Sequence, residues 1–237
     1  MITDKQRKAI RKRLRTLTLV HEVGYATGGT ACTISAINLA LTGQLTDTDP
    51  SKCMWDALRL FVIRVQDEMP LQMMEPGDEH GDLWRAIVPY IAGSRDLPDK
   101  PARLALILDW MWERLGDPAV VAAVPAHILP VWQSMVTLRT LRAADDASKA
   151  AVIAARTAPD VGIGNRNSAD AAPFHAAIAV GAALDVNADN AAMEEAAFAA
   201  RAAATLAPEP VDYWRRADPA KLLEAVLLSC SPASWRS

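Results

Sequence analysis

Cysteine is almost missing from this chain, with Cys32, Cys53 and Cys230 alone among 237 residues. An odd count without metal-ligand spacing excludes a disulfide framework and a thiolate zinc site. It suits a reducing compartment, and the expectation is a cytoplasmic protein. No apolar run reaches the roughly 18 residues of a spanning helix, so no membrane partner is expected. The basic N-terminus leads into no unbroken apolar stretch with a small-residue cleavage site, and it does not read as a signal peptide. Alternation of β-branched and polar residues is scarce, which argues against a sheet. No pattern for a nucleotide, haem or metal cofactor is present, and none is expected. The net charge of −3 and pI near 5.8 give no global attraction to polyanions.

Alanine is what the chain does have. It makes up roughly two in five residues between Ala143 and Ala207. Alanine loses no side-chain entropy in a helix, yet it offers little apolar area at about 25 cal/mol per Å². Such helices gain stability only where backbones approach closely, within the chain or between copies of it.

Helix starts are well marked. Asp49-Pro50, Asp117-Pro118 and Asp218-Pro219 each place an acid at N-cap and proline at N1. Hydrophobic periodicity predicts helices over 3–20, 31–41, 51–69, 81–92, 102–115 and 119–124. Another starts near Pro125 and continues past Leu138. Pro159 to Ser168 reads as a loop. Two alanine-rich helices, 169–184 and 189–206, are joined by the short bend Asp185-Val186-Asn187 and should be antiparallel neighbours. A last helix covers 219–228. Five of the seven tryptophans fall between residues 31 and 141, which places the bulky core there.

The expected fold is all-α, an orthogonal multi-helix bundle with an alanine-rich C-terminal hairpin. Its segments are a basic amphipathic helix (1–22), a tryptophan-rich core (23–157) and an alanine-rich hairpin with a C-terminal helix (158–237), all in one domain.

The block Cys32-Thr33-Ile34-Ser35-Ala36-Ile37-Asn38-Leu39-Ala40-Leu41-Thr42-Gly43-Gln44-Leu45-Thr46-Asp47 resembles a group of bacterial and phage-encoded hypothetical proteins. So do Val65-Gln66-Asp67-Glu68-Met69-Pro70 and Leu106-Ile107-Leu108-Asp109-Trp110-Met111-Trp112. Members of that group share such a first half and trail into alanine-rich helices. The resemblance implies a mobile-element setting. It carries over no activity and no catalytic residue.

Four places can hold chemistry. Cys32 follows Gly28-Gly29-Thr30 at a helix start, where the helix dipole lowers a thiol's pKa. His21, His80, His127 or His175 can serve as base, with Asn38 or Asp47 as orienter, as in thiol-dependent hydrolases. The bland alternative is a small apolar residue in a packed turn. Gly28, Gly29 and Thr30 can offer backbone N–H groups to an anion, although the lysine of a phosphate-binding loop is missing. The alternative is a connection with Thr30 as N-cap.

The first helix sets Lys5, Arg7, Lys8, Arg11, Lys12 and Arg15 opposite Ile2, Ile10, Leu14 and Leu17, with Arg13 off the arc. Lys5, Lys8, Arg11, Lys12 and Arg15 are the candidate nucleic-acid contacts. The alternative is a solvated face. Asp67, Glu68, Glu75, Asp78, Glu79, His80 and Asp82 form an acidic cluster without a recognised metal spacing, so no metal is assigned to it. Of Trp110 and Trp112, two apart on one helix, one should be buried and the other partly exposed or at an interface.

The leading expectation is a non-enzymatic interaction or assembly protein, a homo-oligomer or one that binds another protein. The alternatives are a nucleic-acid-binding protein using the first helix and a thiol hydrolase centred on Cys32.

Overall fold

The computed structural model describes residues 2–25, 29–157, 171–185 and 188–228, with the side chains of 154–157 excepted. Among them the helices are α1 (Asp4–Leu14), α2 (Thr33–Thr42), α3 (Asp56–Glu68), α4 (Glu79–Ile91), α5 (Lys100–Leu115) and α6 (Pro118–Ala123). They continue with α7 (Leu129–Leu138), α8 (Leu141–Thr157), α9 (Ala172–Ala183), α10 (Asp189–Leu206), α11 (Pro210–Ala217) and α12 (Pro219–Leu228). The fold is all-α and multi-helical. Two-residue strands, β1 (Thr18–Leu19) and β2 (Thr30–Ala31), pair in parallel.

The chain forms two compact units. The first comprises residues up to Arg103 together with those from Asp218 onward. Thr3 caps α1 through a box in which Thr3 Oγ1 accepts from Gln6 N and Gln6 Oε1 accepts from Thr3 N. α1 packs on α2 and α4 through Ile10 and Leu14. It stops at Leu14 instead of reaching Val20. The half-buried Arg85 guanidinium donates to Leu14 O at 2.7 Å and Leu17 O at 3.2 Å, satisfying carbonyls at the helix end. Thr18 and Leu19 then pair with β2.

α2 is the central helix. Thr33 to Asn38 are all buried, and Gly43 ends the helix in the left-handed region at φ +76°. A chain of hydrogen bonds ties its first turn to α3 and α4. Trp84 Nε1 donates to Thr33 Oγ1 at 2.8 Å, Thr33 N donates to Gln66 Oε1 at 2.8 Å, and Gln66 Nε2 donates to Val20 O at 2.7 Å. α3 starts at Asp56 and not at Ser51. Asp49 does not cap a helix: its carboxylate accepts from Ser51 Oγ and Met54 N, closing a turn in which Lys52 sits at φ +49°. α12 packs on α4.

The second unit runs from Leu104 to Ala217. Asp117 caps α6 with Pro118 at N1, as expected from the sequence. Gly116 follows α5 but is not a left-handed cap. A Cβ there would lie 2.8 Å from Val136 Cγ1, so glycine permits close approach of α7. α7 and α8 are separate helices, divided at Arg139, which adopts φ +52°. α8, α9 and α10 pack in succession, and α10 also meets α6 and α11. Pro210 opens α11 where the sequence suggested only a break. Trp110 and Trp112 are both buried. Neither is partly exposed, because α11 covers Trp110, whose Nε1 donates to Ala217 O at 2.6 Å. Loop residues 159–168 lie outside the described residues, as do Val186 and Asn187 of the hairpin bend.

Candidate functional site

Cys32 is the N-cap of α2, a position the sequence reading gave to Thr30. Its Sγ accepts from Ser35 N at 3.3 Å and donates to Ser35 Oγ at 3.2 Å. The residue is 4% exposed. Burial pushes the thiol above its ordinary value, outweighing the hydrogen bonds from Ser35 and the backbone that pull it down, and Asp47 adds to the rise. A nucleophilic cysteine needs the opposite shift. The histidines are engaged elsewhere or exposed. His21 Nε2 meets Met69 O at 2.9 Å, His80 Nδ1 lies 3.2 Å from Asp218 Oδ1, and His127 is exposed. Asn38 Nδ2 donates to Thr46 O and Thr48 O, holding the loop after α2. The described residues bring no base to Cys32, and Cys230 lies outside them.

Gly28 also lies outside the described residues. Gly29 has φ +66°, and Thr30 belongs to β2. Thr30 N donates to Tyr25 O at 3.2 Å, while Tyr25 N donates to both Thr30 O and Thr30 Oγ1. These amides close a turn rather than facing a ligand. The helix start expected at Thr30 is displaced to Cys32.

α1 presents Lys5, Lys8, Arg11, Lys12, Arg13 and Arg15 outward. Arg13 thus joins the basic face, whereas Arg7 leaves it. Arg7 precedes Ile10 by three residues and Leu14 by seven, so it lies on the docked side. Its guanidinium lies 5.5 Å from the centre of the Tyr90 ring. Arg11 reaches the same ring, donating from Nη2 to Tyr90 Oη at 3.2 Å.

The acidic cluster is dispersed into local structure. Asp67 accepts from Glu22 N, Asp78 caps α4, and Asp82 accepts from Gly77 N. Among the described residues no group of three or more His, Cys, Asp or Glu is arranged to hold a metal. No helix of the described residues is long and apolar enough to cross a membrane.

A feature the sequence reading passed over is the outer face of α9. The helix carries no charged side chain. Its inner side is fixed by His175, whose Nδ1 donates to Glu195 Oε2 of α10 at 2.5 Å and whose ring lies 5.2 Å from that of Phe198. His175 is buried, and its Nε2 has no hydrogen-bond partner among the described residues. Opposite this side, Phe174 is 48% exposed and Leu184, just past the helix, is 76% exposed. Ala177, Ile178 and Gly181 are half-exposed between them. At 100° per residue these five fall on one arc. A helix apolar all round is ordinarily buried all round. The legible signal was the run Ala176 to Leu184, which contains no polar side chain.

No protein-family model, curated protein or solved structure matches the chain.

Proposed function

We propose that the protein is a non-enzymatic interaction or assembly protein that associates with a second copy of itself through the outer face of α9. The observation that carries this reading is the apolar arc of Phe174, Ala177, Ile178, Gly181 and Leu184, exposed at its two large ends and partly exposed between them, with Leu141 of α8 beside Gly181, on a helix without Asp, Glu, Lys or Arg. An exposed contiguous apolar face marks an interaction site. The inward alanines of α9 and α10 are already covered within the chain, so an assembly through α9 would use its outward arc. Phe174 and Leu184 flank the small residues Ala177 and Gly181. Two antiparallel copies related by a two-fold axis at the middle of this arc therefore bring Ala177 and Gly181 of one against Gly181 and Ala177 of the other, where the backbones can approach, while Phe174 and Leu184 meet at the ends. The mobile-element setting implied by the resemblance belongs to this reading. Sedimentation of the wild type and of Ile178→Glu is the test. A wild-type multimer that the substitution converts to a monomer supports it. A monomeric wild type, or a multimer indifferent to Ile178→Glu, rejects it.

A second reading, nucleic-acid binding, is favoured by the docking of α1. Ile10 and Leu14 anchor the helix and leave six cations facing solvent. It predicts affinity that falls steeply with salt and is lost when Lys8, Arg11, Lys12 and Arg15 become glutamine. Salt-independent or absent binding rejects it.

A further inference from the structure

In the first unit a cavity of about 460 Å³ opens between two chain segments, residues 49–56 and 95–100. That is the size range of small-molecule sites, roughly 300–1,000 Å³. Lys52, Arg95 and Lys100 line it, with Met54 and Trp55 beneath and Asp49 and Asp56 beside them. Both acids have other hydrogen-bond partners, but only Asp56 has a cationic one. Asp49 accepts from Ser51 Oγ and Met54 N at 2.8 Å each, and Asp56 is bridged by Arg59 at 2.8 Å. None of the three cations has an ion pair among the described residues. Arg95 Nη1 donates to Lys52 O at 3.0 Å, which brings the two residues together without neutralising either. Lys100 Nζ stands 5.6 Å from the centre of the Trp55 ring.

Three cations against the one unbridged carboxylate of Asp49 leave the hollow net positive, and a bound anion relieves the repulsion among them. The backbone adds to the field. α3 begins at this cavity with Trp55 as N-cap, and no side chain caps its first-turn amides. The N-terminal end of a thirteen-residue helix therefore faces the same space with its partial positive charge. Lys52 is held at φ +49°, a conformation that L residues seldom adopt, by the turn that Asp49 closes.

We infer that this cavity binds the phosphate end of a small soluble phosphorylated molecule. Arg95 and Lys52 clasp the phosphate oxygens, Lys100 supplies the third charge, and the α3 amides complete the cradle. The volume accommodates a diphosphate with part of the group it is attached to. The site shares no residue with the basic face of α1 or with α9, so it stands or falls independently of the function proposed above.

The experiment is calorimetric titration of the full chain with inorganic pyrophosphate in a low-salt buffer without phosphate. Lys52→Gln and Arg95→Gln are compared with Lys12→Gln on the basic face of α1. Lys52 and Arg95 are exposed, so both variants keep the fold, and circular dichroism checks this. The expected result is saturable one-to-one binding, weakened about tenfold or more by each cavity substitution and unchanged by Lys12→Gln. Absence of saturable binding overturns the inference. So does equal weakening by Lys12→Gln, which would mean unspecific attraction to the basic helix. Attachment to phosphatidic-acid vesicles without binding of free pyrophosphate also overturns it.

Discussion

Leucine in place of Ala176 or Ala199 tests the packing of the alanine hairpin by the sign of its effect. Ala176 lies on α9, which packs against both α8 and α10, and Ala199 lies on α10 one turn from Glu195, which His175 of α9 meets, so both belong to the closely packed alanine layer. Both are 0% exposed. A residue with a single methyl group is fully covered only where the neighbouring backbone comes close. Leucine adds three carbons. If the layer had room for them, burial at about 0.8 kcal/mol per carbon would stabilise the protein by about 2 kcal/mol. If the helices touch, as the burial implies, the added volume forces backbone shifts and costs about 1–3 kcal/mol. The expected outcome is destabilisation at both positions, read as a lower urea midpoint at unchanged slope. Ala191→Leu is the control. It lies on α10 but is exposed, and its effect should stay within about 0.5 kcal/mol. A stabilising Ala176→Leu or Ala199→Leu would refute the close-packed layer.

Two further outcomes follow from titratable groups. Burial works to raise the Asp117 carboxyl, but hydrogen bonds from Arg216 and Ala119 N, with the charges of Arg216 and Arg114, outweigh it and hold the group below its ordinary value of 3.8. Its contribution to stability is therefore complete above about pH 4 and is lost as pH falls through the lowered value. Asp117→Asn should cost about 1–2 kcal/mol at neutral pH, less than a fully buried pair because Arg216 is half-exposed. It should also flatten the acid side of the stability profile measured by urea unfolding between pH 2 and 7, and an unchanged acid side would contradict the pairing. In alkylation followed by mass spectrometry, half-buried Cys53 should react about tenfold or more faster than Cys32, whose thiol is buried and raised. Faster labelling at Cys32 would restore it as a candidate nucleophile.

The legible parts of the fold are those where local chemistry and tertiary packing agree. α10 occupies Asp189–Leu206, the span its alanine run predicts, because nothing in the tract favours another conformation. Asp117-Pro118 and Asp218-Pro219 open helices as acid–proline pairs should. Asp49-Pro50 has the same letters and opens none, since Asp49 is recruited by Met54 N and Ser51 into a turn that places Lys52 beside Arg95. The same limit applies to α1. Its pattern runs on to Val20, yet Arg85, 71 residues from Leu14 in sequence, caps it early and frees Thr18 for β1.

By itself the sequence determined the helical class, the inward alanine packing and the cationic character of the first helix. Each follows from propensity and periodicity, which act over a turn or two of chain. Tertiary structure alone decided that Cys32 is a buried cap with a raised thiol and that Arg7 turns onto Tyr90 while Arg13 faces out. It also decided that Lys52, Arg95 and Lys100 share one cavity and that Phe174 and Leu184 at the ends of the α9 arc stay exposed. Burial and charge proximity depend on segments far apart in the chain, and no local pattern encodes which of them will meet.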